Sequence, residues 1–195
     1  MAKFLESAPS NWKHPLVISA VPRDGEPYND DFNLTVELPI SYWSQIYSFK
    51  EPIEVKVESY RTEGRILTEI YIKSAANVPC SRCLEPAGVA INGILRYLFS
   101  LRPNEFTEET EEGAQDGDEE LILLDSWEDE IDLAPLIWEV LITALPSTAL
   151  CSESCKGLCS RCGANLNIAP CSCEGEKGDP RFEILKSFTK DSQNN

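Results

Sequence analysis

The chain has one histidine in 195 residues, His14, and no stretch approaching eighteen consecutive apolar residues. The scarcity of imidazole leaves a thin inventory for acid–base or nucleophilic catalysis. His14 itself, in a Trp-Lys-His-Pro stretch, is expected to serve at the surface or in packing rather than as a base. The missing apolar run removes support for a transmembrane helix. The N-terminal residues MAKFLESAPSNWKHPLVISAV lack a signal-peptide layout. The chain also contains no Gly-rich phosphate loop, no GxSxG and no HExxH. Acids are abundant at 108–112, but a flexible segment is a poor platform for positioned carboxylates. These absences predict a cytoplasmic, non-enzymatic protein with no membrane partner and no catalytic residues. A composition of 42% hydrophobic and 26% charged residues is that of a globular chain.

Basic residues are missing from one window. Residues 105–132 carry fourteen of the 33 acidic side chains and no Lys or Arg, so most of the net charge of −16 sits there. The remainder is nearly neutral. The plain reading is a solvated linker held extended by self-repulsion. The sharper one is a docking strip for a basic partner. A broad phosphate-binding surface is disfavoured either way, because it requires clustered Lys and Arg.

Cysteine is what the chain has in excess. Eight of them fall into close pairs: Cys80 with Cys83, Cys151 with Cys155, Cys159 with Cys162, and Cys171 with Cys173. Two thiolates separated by two residues on a tight turn aim at one point, and eight close two tetrahedral sites, usually of zinc. Disulfides are the competing reading. The Cys171-Ser-Cys173 spacing and a reducing cytoplasm argue against them. Cys159-Ser-Arg-Cys162-Gly163 is the strongest local signal, since glycine after the pair accepts the positive φ a zinc knuckle needs. Its natural complement is Cys171 and Cys173, which leaves Cys80, Cys83, Cys151 and Cys155 for a second site. A rival partition places Cys151 or Cys155 with the local set and leaves Cys80 and Cys83 as bystanders or redox thiols. Four thiolates leave no open coordination position, so both sites read as structural.

Period-two alternation runs through Ile53, Val55 and Val57, through Ile66, Ile70 and Ile72, and from Val89 to Phe99, with a turn at Glu63-Gly64. A bulge is expected near Gly93. Cys80 and Cys83 fall at the tip of a long hairpin. LILLD (121–125) reads as a short returning strand. A helix over 133–145 follows, with Asp132 as N-cap, Pro135 in its first turn and Pro146 ending it. Asp179-Pro180 opens a short terminal helix. The expected fold is α+β: an antiparallel sheet over residues 14–124 packed against one apolar helix, with a C-terminal cysteine-rich zinc knuckle. The expected organisation is a β-rich domain at 1–104, an acidic linker at 105–120, and a strand plus core helix at 121–150. The knuckle at 151–178 and a terminal helix with a frayed tail at 179–195 complete it.

Four segments occur together in a recognisable order: CSRCLEP (80–86), EDEIDLAPLIWEVLITALP (128–146), CSESCKGLCSRCGANLNIAPCSC (151–173) and DPRFEILKSF (179–188). Over residues 50–188 the chain resembles the YceD-like family, the large ribosomal RNA subunit accumulation proteins of bacteria, with chloroplast relatives. The resemblance implies a role in accumulation or processing of large-subunit (23S) ribosomal RNA, without known enzymatic activity. The positions it carries over are the eight cysteines. Joined to the acidic window, it implies a ribosomal protein, an assembly factor or a pre-ribosomal ribonucleoprotein as partner, rather than naked RNA. A zinc-thiolate redox switch and an enzyme of unrecognised type are the alternatives.

Overall fold

A computed structural model describes residues 4–23, 25–62, 64–102, 119–127 and 130–173. The chain divides into two units, Met1–Ser154 and Cys155–Asn195. In the first, β-branched and aromatic residues build nine strands among the described residues. They are β1 (Pro15–Val17), β2 (Tyr28–Leu34), β3 (Ile40–Tyr42), β4 (Gln45–Phe49), β5 (Ile53–Thr62), β6 (Arg65–Pro79), β7 (Pro86–Leu101), β8 (Glu119–Leu124) and β9 (Glu130–Asp132). One α-helix, α1 (Ala134–Ala144), follows. The class is α+β.

The long β6 organises the main sheet. One of its edges pairs with β5 and, nearer its C-terminal end, with β4; the other pairs with β7 along its length. β2 extends the sheet beyond β5, and β3 beyond β4. The period-two pattern becomes a buried face: Ile53, Val55, Val57, Ile66, Ile70, Ile72, Ile91, Tyr97 and Phe99 are all buried. Burial of each large apolar side chain is worth about 1.5–3 kcal/mol. Ser59 and Thr68, paired across β5 and β6, are also buried and satisfy each other through hydroxyls 3.0 Å apart.

Three expectations about the sheet change. The sheet is mixed rather than wholly antiparallel, because β8, which contains most of the LILLD segment, lies parallel to β7. Parallel neighbours need a connection of a dozen or more residues, and the chain between Leu101 and Glu119 is long enough. Residues 15–17 do not join the main sheet but pair with β9 in a separate two-stranded one. Finally, β7 has no bulge at Gly93. The register with β6 runs unbroken from Ile66↔Phe99 to Pro79↔Pro86, with Ile72 opposite Gly93.

Gly93 serves the helix instead. A Cβ there would lie 2.9 Å from the Cβ of Ala144, 3.0 Å from Cγ1 of Val140 and 3.1 Å from Cγ1 of Ile72. Glycine thus lets the end of α1 approach the strand backbone. Ala134, Ile137, Val140 and Leu141 form the buried side of α1. Buried Tyr97 donates from its hydroxyl to the Leu136 carbonyl at 3.2 Å and to Oε2 of Glu139 at 3.1 Å. The N-cap position belongs to Leu133, without a side-chain cap. Asp132, expected there, ends β9, and its Oδ1 accepts the backbone N–H groups of Ala134 and His14, both at 3.1 Å. The helix stops at Leu145, which turns extended (ψ 126°) before Pro146.

His14 packs as a structural residue. Its ring stacks on Phe32 with centroids 3.6 Å apart, and Nε2 lies 2.7 Å from Oδ2 of Asp30. Glu63, most of the 105–120 segment and the expected terminal helix at 179–188 lie outside the described residues. No helix among the described residues is long and apolar enough to cross a membrane.

Candidate metal centres

The β6–β7 ladder closes on the pair Pro79↔Pro86, and residues 80–85 form the tip. The last paired position is proline on both strands, and the chain turns directly after it. Within the tip, Cys80 N–H donates to Glu85 O at 2.8 Å and Leu84 N–H to Cys80 O at 3.0 Å. Leu84 sits at φ 64°, in the left-handed region. The Arg82 N–H points at Sγ of Cys80, 3.5 Å away.

The chain leaving α1 is fastened beside this tip. Tyr47 donates its hydroxyl to Pro146 O at 2.6 Å, and Gln45 Nε2 donates to Ser147 O. Ser81 then makes a reciprocal pair of bonds: its N–H reaches Ala149 O at 2.8 Å, and its Oγ accepts the Ala149 N–H at 3.2 Å. Two residues further on, Sγ of Cys151 lies 3.5 Å from Sγ of Cys83. The four sulfurs of Cys80, Cys83, Cys151 and Cys155 all lie within 4.8 Å of one another.

In the second unit the pattern recurs with the same tetrapeptide, Cys-Ser-Arg-Cys. Cys159 N–H donates to Ala164 O at 2.8 Å and Gly163 N–H to Cys159 O at 2.9 Å, with Gly163 at φ 71°. A bridge between Leu158 and Asn165 holds the base of the turn. The sulfurs of Cys159, Cys162, Cys171 and Cys173 also fall within 4.8 Å of one another. The chain therefore gathers its cysteines in the partition that spacing favours, and none of the eight is in a disulfide.

Local electrostatics favours the thiolate at one cysteine of each group. Burial pushes the Cys80 thiol up, but the N–H groups of Arg82, Cys151 and Cys83 together with the Cys83 thiol outweigh it and bring Cys80 down to about 6. Cys159 is likewise lowered to about 6, chiefly by the backbone N–H groups of Cys162 and Arg161. Cys173 moves the other way, to about 12, through its bonds with Cys162, its burial, and the negative charge of Cys162 and Cys159. Sulfurs packed this closely repel one another once ionised, and a dication offsets that repulsion. Donor sets of four soft sulfurs, free of carboxylate and imidazole, fit zinc in tetrahedral geometry.

Two features of the sites escape a reading of the sequence. Ser81 ties the hairpin tip to Ala149, a contact between residues 68 apart that no local pattern announces. Asn167 donates through Nδ2 to Sγ of Cys155 at 3.4 Å. The repeated Cys-Ser-Arg-Cys was the available signal that residues 84 and 163 take equivalent places.

A mixed β-sheet protein carrying two four-cysteine clusters is the class that fold and sites define. The sequence profile described as "Large ribosomal RNA subunit accumulation protein YceD" matches residues 68–189, and the chain belongs to that family. It is 29% identical over 160 residues to large ribosomal RNA subunit accumulation protein YCED homolog 1, chloroplastic, of Arabidopsis thaliana, covering 73% of this chain and 50% of the relative. The Zea mays protein of the same name is 30% identical over 149 residues, covering 64% and 50%. An uncharacterized protein of Mycobacterium tuberculosis is 32% identical over 133 residues, covering 68% and 59%. The chain spans about half the length of the plant relatives it matches. No solved structure matches it.

Proposed function

We propose that this chain is a non-enzymatic factor in biogenesis of the large ribosomal subunit, supporting accumulation of its RNA and folded around two structural zinc ions. The convergence of eight cysteines into two quartets carries the metal reading, and family membership carries the pathway. Cys80, Cys83, Cys151 and Cys155 would hold one ion; Cys159, Cys162, Cys171 and Cys173 the other. Zinc in such a set supplies a cross-link and charge neutralisation, with no position left for a substrate. The absence of a catalytic role is supported by the only histidine being engaged with Asp30 and Phe32. Thiols used in this way belong in a reducing compartment such as the cytoplasm.

The partner follows from charge. Fourteen acids and no bases across 105–132 favour a basic ribosomal protein or assembly factor over naked RNA. The test has two arms. Depleting the protein should lower mature large-subunit RNA relative to small-subunit RNA, and a normal ratio would overturn the pathway. Replacing the acids of 105–120 by Ser and Gly should weaken capture of purified basic large-subunit proteins at physiological salt. Unchanged capture, or tight binding of isolated rRNA fragments by the unmodified chain, would overturn the partner assignment.

One observation favours a second reading, a thiol switch: Cys151 is exposed and its sulfur lies 3.5 Å from that of Cys83. Mild peroxide releasing zinc with a Cys83–Cys151 disulfide would favour it; retained zinc favours the structural role.

A further inference from the structure

We propose that Asn167 is a positioning residue that couples the two four-cysteine sites, so that closure of the second prepares the first. The inference rests on the metal reading above. Asn167 lies in the loop between Cys162 and Cys171, which belong to the second quartet. Its side chain nevertheless serves Cys155, which belongs to the first.

Both polar groups of the Asn167 side chain reach the Cys155–Lys156 segment, and Nδ2 also bonds within its own loop. Oδ1 accepts the Lys156 N–H at 2.7 Å, which grips the backbone directly after Cys155. Nδ2 donates to Sγ of Cys155 at 3.4 Å and to Oδ1 of Asn165 at 3.0 Å. Asn165 Oδ1 also accepts the Asn167 N–H at 3.0 Å, and the Asn165 carbonyl accepts from Ile168 at 3.1 Å and Ala169 at 3.4 Å. The loop is thus wound on Asn165; the Leu166 N–H anchors it to Gly157 O at 3.0 Å, and the Asn167 side chain grips Cys155 and Lys156. An N–H aimed at a thiolate favours its charged form and fixes where the sulfur stands.

The loop's ends are Cys162 and Cys171, so whatever fastens those two sulfurs limits where Asn167 can stand. Filling the second quartet orders the loop, and the ordered loop presents an N–H to Cys155. Partners of this kind change metal affinity by about 10–100-fold when removed. By linkage, filling the first site stabilises the second to the same extent.

The experiment uses the full chain, reduced and freed of metal, titrated with Co(II) and followed by its thiolate charge-transfer absorption. Zinc competition against a chromophoric chelator supplies the affinities. Asn167→Ala should weaken one of two sites by about 10–100-fold. Asn167→Asp should weaken it more, because it keeps the acceptor for Lys156 but turns a negative oxygen toward the thiolate. In a Cys80→Ser, Cys83→Ser background, where only the second quartet remains, Asn167→Ala should leave affinity unchanged. In a Cys159→Ser, Cys162→Ser background the first site should already be weak, and Asn167→Ala should add little.

Asp binding as tightly as Asn would overturn the proposal, since shape alone would then suffice. So would an Asn167→Ala effect of the same size with and without the second quartet, because the two sites would then be independent. A parent chain that takes up fewer than two Co(II) overturns the metal reading itself, and is distinguishable because it appears before any substitution is made.

Discussion

Leu84 and Gly163 occupy the same place in two copies of one turn. Each follows a Cys-Ser-Arg-Cys, each donates its N–H to the carbonyl of the first cysteine, and their φ values are 64° and 71°. Only one of them is a glycine. The left-handed region costs an L side chain roughly 1–2 kcal/mol, and Leu84 gains little in return, since it is 68% exposed.

Leu84→Gly should therefore stabilise the first unit. The gain is about 0.5–1 kcal/mol, because the more flexible unfolded chain takes back part of the relief. Gly163→Ala, where the new Cβ would meet nothing within 4 Å, should lose a similar amount through φ alone. Urea midpoints of the metal-loaded chain measure both. A Leu84→Gly variant less stable than the parent would mean the leucine makes a contact that matters.

At Gly93 the cost of a methyl is steric. Gly93→Ala should destabilise by about 1–3 kcal/mol, because the helix must move off the sheet or the backbone must shift. The nearest obstruction is the Ala144 Cβ at 2.9 Å, so Ala144→Gly in the same chain should recover part of the loss. Thermal melts of the two single variants and the double one give the coupling directly; strict additivity would contradict it.

Ser81 can be tested without touching a sulfur. Ser81→Ala removes the acceptor of the Ala149 N–H but keeps the Ser81 N–H bond to Ala149 O. Loss of about 1 kcal/mol in stability is expected. The accompanying loss of zinc under a competing chelator should fall on one site of the two. Equal weakening of both would show that the effect is global.

Glu120 links stability to pH. Its carboxyl is held above the usual range by partial burial, then by the charge of Glu139 and a hydrogen bond with it. A carboxyl with a raised folded pKa binds its proton more tightly in the native state. Its ionisation therefore disfavours the fold as pH rises from the unfolded pKa through the folded one. Glu120→Gln should be more stable than the parent at pH 7.5, by no more than a few tenths of a kcal/mol because water screens an exposed carboxylate. The advantage should shrink toward pH 5. An advantage that grows on acidification would reverse the sign of the argument.

What the sequence determined by itself were properties that neighbours in the chain decide. Alternation from Ile53 to Phe99 set strands with one buried face. The apolar run ending at Pro146 set a helix, although its N-cap fell at Leu133 because Asp132 was needed by β9 and by the N–H of His14. Cysteine spacing favoured the four-cysteine groups found in the fold, because a short Cys-x-x-Cys turn constrains both sulfurs locally. What only the tertiary structure decided were contacts between distant segments. The pairing of β8 parallel to β7 depends on a crossover whose direction composition does not encode. Gly93 reads as a bulge until a helix is seen against it, and Ser81 reads as an ordinary polar residue until Ala149 arrives beside it. The physical reason is the same in each case: local propensity acts through bonds a few residues long, whereas packing and hydrogen-bond partners across a sheet are chosen by the whole fold at once.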